Sequence, residues 1–178
     1  SWPEGDVIRF ACVARLEPGA KGQDLLFQVL GMQKWRERPL MVSLCGGGPC
    51  EMGLRRLAEA ENITEQVSFA GHVADVSEIW RTHHALILPS RYEGLPLSLI
   101  ETMLSERPSI VTDVAGNKEM VEDNVTGFVA AFPSVLHLDE ATLTAASNIA
   151  RTHGKEALIK LIGDESAKLL IGYRGLRQ

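Results

Sequence analysis

Two basic residues and two glutamates carry the side chains best suited to chemistry in this sequence. Arg15 and Lys21 flank a Pro/Gly-containing stretch after a strand-like run. Glu93 and Glu101 lie within SRYEGLPLSLIE, with seven residues between them. Cations at the end of a strand and beside a helix N-terminus can hold a diphosphate, because the basic side chains and the helix N-terminus each provide positive charge and N–H donors. The alternative interpretation of Arg15 and Lys21 is two solvated surface charges.

Glu101 is predicted at a position where a carboxylate is costly to bury. Counting from Leu97, the positions three, four and seven residues later are Ile100, Glu101 and Leu104, so helical periodicity predicts Glu101 on an apolar stripe that faces a sheet. A carboxylate there needs hydrogen-bond donors. An ion pair could supply them, which the spacing slightly favours, or the hydroxyls of a ligand such as a ribose could. Glu93, in a loop bordered by Gly and Pro, is expected to be better exposed for ligand contact, although solvation is the ordinary fate of a loop glutamate.

Two further loops contain glycines that could approach a ligand. Gly46–Gly48 precede Pro49, but neither GxGxxG nor a P-loop is present, since Leu54 stands where the lysine is needed. This disfavours a P-loop nucleotidase, and a tight turn explains the glycines. His72 has no second histidine or carboxylate arrangement that suggests a metal site or a catalytic triad.

The alternation of short apolar runs with helical spacing predicts the fold. Strands are predicted at residues 7–14, 40–45, 67–70, 85–89, 109–112 and 127–131, and helical stripes at 25–30, 54–58 and 76–80. Asp75 is expected to cap the third helix, and Pro96 to lie in the first turn of a fourth that runs to about Ser105. Strands that alternate with helices indicate a doubly wound, Rossmann-like α/β domain with a parallel sheet, whose ligands bind at the carboxyl ends of the strands.

Composition narrows the class of protein. The chain has 178 residues, 45% of them hydrophobic, and a net charge of -5. These values predict one domain and no nucleic-acid partner, since no basic stripe is present. No apolar run reaches the roughly 20 residues of a transmembrane helix, and no secretory leader is evident, so we expect a cytoplasmic protein with reduced structural cysteines. A first strand so close to a start without methionine suggests an excised domain.

The order and spacing of these pieces resemble a known family. VARLEPGAKG, LCGGGP, VSFAGHVADV and LILPSRYEGLPLSLIETMLSERPSIVTDVAGNKEMVEDNVTGFV closely resemble the C-terminal, nucleotide-sugar-binding domain of the group 1 retaining glycosyltransferases, which have the GT-B fold. The resemblance covers roughly residues 7–131. It implies a nucleotide-sugar-binding α/β domain at 1–135, a helical segment of the same domain at 136–178, and an N-terminal acceptor-binding domain that these residues cannot supply.

The resemblance also implies roles for single residues. Arg15 and Lys21 match the basic pair that contacts the donor diphosphate, Glu93 the glutamate beside the donor sugar and reacting centre, and Glu101 the glutamate that holds the ribose hydroxyls. The catalytic residues implied are thus Glu93, Arg15 and Lys21. The remaining residues implied in donor binding are Gly48, Val73, Gly94, Leu95, Pro96, Leu97 and Ser98, and neither a metal nor another cofactor is implied.

The implied reaction transfers a sugar from a nucleoside diphosphate sugar to a hydroxyl of a glycan, lipid or small molecule, with retention at the anomeric carbon. It belongs to polysaccharide or glycoconjugate biosynthesis, in the cytoplasm or at the membrane surface, and this chain alone is expected to be inactive. Two alternatives stay open, a noncatalytic nucleotide-sugar-binding subunit and a GT-B sugar-nucleotide epimerase. The sequence does not select among UDP, GDP and ADP donors.

Overall fold

The computed structural model describes residues 3–130, which form one six-stranded parallel sheet in the order β3-β2-β1-β4-β5-β6. The strands are β1 (Ile8–Val13), β2 (Leu40–Cys45), β3 (Val67–Gly71), β4 (Ala85–Leu88), β5 (Ser109–Thr112) and β6 (Phe128–Ala130). Every predicted strand is confirmed, with ends shifted by one residue at most. The predicted helices at 137–151 and 155–171, and the whole 136–178 segment, lie outside the described residues.

Seven helices connect these strands. They are α1 (Pro18–Lys21), α2 (Gln23–Gly31), α3 (Gln33–Arg36), α4 (Glu51–Ala60), α5 (Val76–Thr82), α6 (Leu97–Leu104) and α7 (Ala115–Lys118). The three predicted stripes fall in α2, α4 and α5. The Asp75 carboxylate accepts a hydrogen bond from the Ser77 backbone N–H at 2.9 Å, which confirms the predicted cap of α5. In the described part of the chain, no helix is long and apolar enough to cross a bilayer.

The sheet is buried on both faces. Successive residues of a strand point to opposite faces, and Phe10 and Cys12 of β1 belong to one hydrophobic cluster while Ala11 between them belongs to the other. The first cluster includes Leu26 and Trp35, from the helices that follow β1. Burial on both faces explains why the strands are continuous apolar runs rather than alternating ones, as expected for a doubly wound sheet.

The strand order determines where a ligand can bind. β1 pairs with β2 on one side and with β4 on the other, and the chain direction across the sheet reverses between β1 and β4. At such a switch point the loops at the carboxyl ends diverge to opposite faces and leave a crevice between them. The loop after β1 and the loop after β4 therefore border the crevice.

Burial of His84, just before β4, makes stability depend on pH. Its Nδ1 accepts a hydrogen bond from the Arg9 backbone N–H at 3.0 Å, so this nitrogen must be unprotonated. Burial lowers the pKa of His84, and the charges of Arg9 and Arg107 act in the same direction. The unfolded chain therefore binds the proton at higher pH than the folded one. We expect the free energy of unfolding, measured by urea titration, to fall as the pH drops below the ordinary histidine value of 6.5.

A His84→Asn variant provides the control for this prediction. The asparagine Oδ1 can accept the Arg9 N–H from about the place of Nδ1 and does not titrate. We expect a shallower decline in stability for the variant between neutral pH and pH about 5. Burial also lowers the pKa of His83, so the variant should retain part of the slope. Equal slopes for the two proteins would contradict the assignment to His84.

Candidate functional site

The crevice brings Lys21 and Glu93 together. Lys21 ends α1 and Glu93 lies in the loop after β4, yet Nζ donates hydrogen bonds to Oε1 at 2.9 Å and to Oε2 at 3.0 Å. The Ser90 hydroxyl donates a third bond to Oε1 at 2.7 Å. The side chains of Lys21 and Glu93 are only 23% and 7% exposed. The expectation that Glu93 is well exposed is therefore wrong, because its carboxylate turns inward to its partners, and Lys21 is not a solvated surface charge.

The loops that carry this ion pair are fastened to each other. The Arg91 guanidinium donates hydrogen bonds to both carboxylate oxygens of Asp24, at 2.6 and 2.9 Å, and to the Pro18 carbonyl at 2.6 Å. The backbone N–H groups of Arg91 and Tyr92 donate to the Ala20 carbonyl at 2.9 and 3.2 Å. A bidentate Arg–carboxylate contact fixes direction as well as distance. It holds the loop after β4 against α1, as the Lys21–Glu93 contact requires. The sequence analysis missed Arg91 and Asp24, since neither belongs to a local motif.

Gly22 permits the close approach of these two loops. It is the αL residue between α1 and α2, with φ of 66°. A Cβ at this position would overlap the Pro89 carbonyl at the end of β4. Only glycine satisfies both conditions. The glycine in AKGQD thus lets the backbone of the β1 loop cross the end of β4.

Arg15 pairs with a different carboxylate from Lys21. Its guanidinium contacts Glu17 at 2.9 Å, and its side chain is 70% exposed. The backbone is fixed, because the buried Gln23 amide donates to the Arg15 carbonyl at 2.7 Å. An exposed ion pair contributes little stability. The guanidinium can therefore leave Glu17 for a stronger anion while its Cα stays in place.

Glu101 does not lie on the buried face of α6. That face carries Leu99, Thr102 and Met103, whereas Leu97 is 60% and Leu104 51% exposed. The predicted core-facing stripe is therefore wrong. Apolar residues occupy both sides of this helix, so periodicity alone could not decide its rotation about its axis.

The surroundings of Glu101 also disagree with the ion-pair interpretation. The carboxylate is partly buried and has no hydrogen-bond or ion-pair partner among residues 3–130. Partial desolvation raises the pKa of Glu101. A carboxylate that loses water without gaining a donor is energetically unsatisfied, and a hydroxyl-bearing ligand would relieve it.

The other candidate donor-binding residues lie on three different loops. Gly48 lies in the loop after β2 and packs against the backbone of Leu16, which lies in the loop after β1. Gly94–Ser98 run from the exposed part of the β4 loop into the first turn of α6. Val73 follows β3, which is separated from β1 by β2, and packs partly on the second hydrophobic cluster. Among residues 3–130, no group of three or more His, Cys, Asp or Glu side chains could hold a metal ion.

Comparisons with known proteins give a consistent result. The family model described as "Glycosyl transferases group 1" matches residues 8–148. A poly(ribitol-phosphate) alpha-N-acetylglucosaminyltransferase of Staphylococcus aureus is 24% identical over 162 residues, which is 89% of this chain and 33% of that protein. A GDP-mannose-dependent alpha-(1-6)-phosphatidylinositol monomannoside mannosyltransferase of Mycobacterium tuberculosis is 33% identical over 148 residues, 77% of this chain and 38% of that protein. The chain spans well under half the length of these relatives.

A solved structure matches the same fold. The Anabaena protein HepE, crystallised in complex with UDP, has a TM-score of 0.72 and 17% identity, covering 96% of this chain and 49% of that chain. At this identity the likeness shows the α/β fold. The match confirms the doubly wound architecture predicted from the sequence.

Proposed function

Because this chain belongs to the group 1 glycosyl transferases, we propose that it is the donor-binding part of an enzyme that transfers a sugar from a nucleoside diphosphate sugar to a hydroxyl acceptor. The observation that carries the proposal is the Lys21–Glu93 pair at the crevice between β1 and β4. A sheltered cation at this switch point meets the requirements of a diphosphate site. The structurally similar Anabaena protein was crystallised in complex with UDP, which supports a nucleotide as the ligand of this chain.

Lys21 is suited to the diphosphate despite its contact with Glu93. An ammonium group has three donors, and Lys21 uses two of them on the glutamate oxygens. The third can donate to a phosphate oxygen, and the exposed Arg15 can swing from Glu17 to the same anion. Donors aimed at charge that grows on the leaving phosphate are each worth roughly 3 to 4 kcal/mol in the transition state. These cations take the part that a divalent metal plays elsewhere, so we propose that no metal is required.

The two glutamates have separate roles in this proposal. Glu93 lies beside the donor sugar, and Glu101 accepts hydrogen bonds from the ribose hydroxyls, which would satisfy its unpartnered carboxylate. The bond from the anomeric carbon to phosphate breaks, and the nucleoside diphosphate leaves with the electron pair. The acceptor oxygen bonds to the same face of the sugar, and its proton passes to the leaving phosphate. Configuration at the anomeric carbon is retained.

Acceptor binding is assigned to sequence outside this chain. The match covers only 33% and 38% of the two relatives, which supports placing the acceptor site and full activity outside residues 1–178. We propose that residues 1–178 bind the donor without catalysing transfer.

Calorimetric titration tests this function. The chain is titrated with UDP, GDP and ADP without added metal, and the matching nucleoside monophosphates serve as controls. We expect saturable binding of one diphosphate and weaker binding of its monophosphate, because Lys21 and Arg15 recognise charge on the second phosphate. A folded chain that binds none of the three diphosphates would contradict the proposed function.

A further inference from the structure

A series of buried hydrogen bonds runs from α7 and β5 to the Glu93 carboxylate. The Asn117 amide donates to the Thr112 backbone carbonyl at 3.2 Å, the Thr112 hydroxyl donates to the Ser90 carbonyl at 2.5 Å, and the Ser90 hydroxyl donates to Glu93 Oε1 at 2.7 Å. Ser90, Thr112 and Asn117 are completely buried. Through these bonds, the end of β5 determines the position of a side chain in the crevice.

These polar groups are costly as core material. A buried amide or hydroxyl must recover in hydrogen bonds what it loses in water, and an apolar side chain of the same shape would often be at least as stable. Asn117 does not recover the full amount, since its Oδ1 has no partner within the described residues. Stability alone therefore does not account for the series, whose last bond ends on the candidate reactive-centre glutamate.

The hydrogen bonds to the Glu93 carboxylate leave one of its acceptor positions open. An ionised carboxylate offers about four acceptor positions, two on each oxygen. Lys21 occupies one position on each oxygen, and Ser90 occupies the second position on Oε1. Oε1 is then fully used, and Oε2 retains one position. The bonds from Lys21 and Ser90 therefore determine that Oε2 is the carboxylate oxygen that can accept a further hydrogen bond.

The backbone of Glu93 is held from the side of α7. The Gly116 N–H donates to the Glu93 carbonyl at 3.3 Å. A Cβ on Gly116 would overlap the Gly94 carbonyl, so the start of α7 packs directly on this peptide. With the main chain fixed, the remaining freedom lies in the side-chain torsions of Glu93, which the bonds from Lys21 and Ser90 restrict together.

We propose that Ser90 is a positioning residue, which turns the Glu93 carboxylate so that Oε2 accepts a hydroxyl of the donor sugar. The inference rests on the proposed function, in which Glu93 lies beside that sugar. Ser90 acts only through Glu93. Its loss should therefore weaken recognition of the sugar and spare recognition of the nucleoside diphosphate.

The test is a Ser90→Ala variant of the 178-residue chain. Calorimetry measures the dissociation constants of UDP, UDP-glucose, GDP, GDP-mannose, ADP and ADP-glucose, and the readout is the ratio between each nucleotide and its sugar conjugate. Ser90→Ala removes one hydrogen bond to a charged group, and its effect reaches the ligand only through Glu93. For the pair that binds, the affinity for the conjugate relative to that for the nucleotide should fall roughly tenfold. Affinity for the free diphosphate should stay within about twofold of wild type.

Two matched variants separate positioning from general damage. Ser68→Ala removes a serine hydroxyl that bonds Ser43 at 2.9 Å between β3 and β2, so it should leave the ratio unchanged. In a Glu93→Ala background, which has no side-chain oxygen to accept the Ser90 hydroxyl, Ser90→Ala should have no further effect on the ratio. If Ser90→Ala does not fold, Ser90→Cys keeps the same side-chain shape with a somewhat larger atom and a much weaker donor, and should show the same loss.

The outcomes distinguish the inference from the function beneath it. A chain that binds none of the six ligands overturns the proposed function and the role of Ser90 with it. Nucleotide binding with an unchanged ratio in Ser90→Ala overturns the role of Ser90 alone. Equal weakening of free nucleotide and conjugate, together with a lower melting temperature, also overturns it, because that pattern indicates a structural residue.

Discussion

Replacing Lys21 with methionine is expected to destabilise the folded chain by about 3 kcal/mol and to weaken nucleoside diphosphate binding at least tenfold. The substitution leaves the Glu93 carboxylate, 7% exposed, without its cation. Removing one member of a buried ion pair costs roughly 3 to 5 kcal/mol. The lower end applies here because Lys21 is partly exposed and Ser90 still donates to Glu93. The melting temperature should fall by roughly 6 to 12 °C.

A double variant tests whether the two effects have separate causes. Lys21→Met combined with Glu93→Gln removes the stranded charge, so most of the lost stability should return. Nucleotide binding should not return, since the phosphate still lacks its cation. Lys118→Met is the matched control, because Lys118 pairs with Asp113 at 3.1 Å on the exposed surface, where an ion pair contributes at most about 1 kcal/mol. Wild-type stability in Lys21→Met would show that the Lys21–Glu93 contact contributes nothing to the fold.

The second large effect is expected at Glu101. Glu101→Gln should weaken nucleotide binding by about 1.5 to 3 kcal/mol, roughly 10- to 150-fold, because an ionised acceptor of two ribose hydroxyls becomes a neutral amide. The melting temperature should stay unchanged or rise slightly. No described residue pairs with Glu101, and burial already disfavours its charged form. Since burial raises the pKa of Glu101, wild-type affinity should also begin to fall at a higher pH than an ordinary glutamate would cause.

Inorganic pyrophosphate isolates the ribose contact. It presents the diphosphate without a ribose, so its affinity should be the same for wild type and Glu101→Gln. Glu119→Gln, on the exposed surface after α7, serves as the matched carboxylate-to-amide control. A melting temperature that drops in Glu101→Gln while nucleotide affinity holds would contradict the ribose role and indicate a structural partner outside residues 3–130.

The elements of this protein could be predicted from local sequence patterns. Fully buried parallel strands must be short apolar runs, because both faces of the sheet are covered, and this explains why residues 40–45 and 109–112 were located without error. The cap at Asp75 depends on atoms two residues apart, so it too can be predicted from the local sequence. The group 1 motifs likewise identify the loops around Lys21 and Glu93 as the candidate site.

The pairing within the site was decided by tertiary structure. Lys21 and Glu93 are 72 residues apart, and Arg91 and Asp24 are 67 apart. No local pattern connects them, and the sequence analysis accordingly predicted Lys21 as part of a diphosphate clamp or as a solvated charge, and Glu93 as an exposed loop residue. They meet because β4 inserts beside β1 in the sheet and Gly22 lets the two loops cross.

The orientation of Glu101 shows the same limit within a single helix. The sequence determined that α6 exists and predicted its start to within one residue, since Pro96 is the N-cap residue and the helix begins at Leu97. Leu97, Leu99, Met103 and Leu104 offer two apolar faces, and either could have packed on the sheet. The surrounding clusters accept Leu99 and Met103, which leaves Glu101 partly buried beside the other face. Which face a helix buries is a property of its neighbours, and only the folded chain brings those neighbours together.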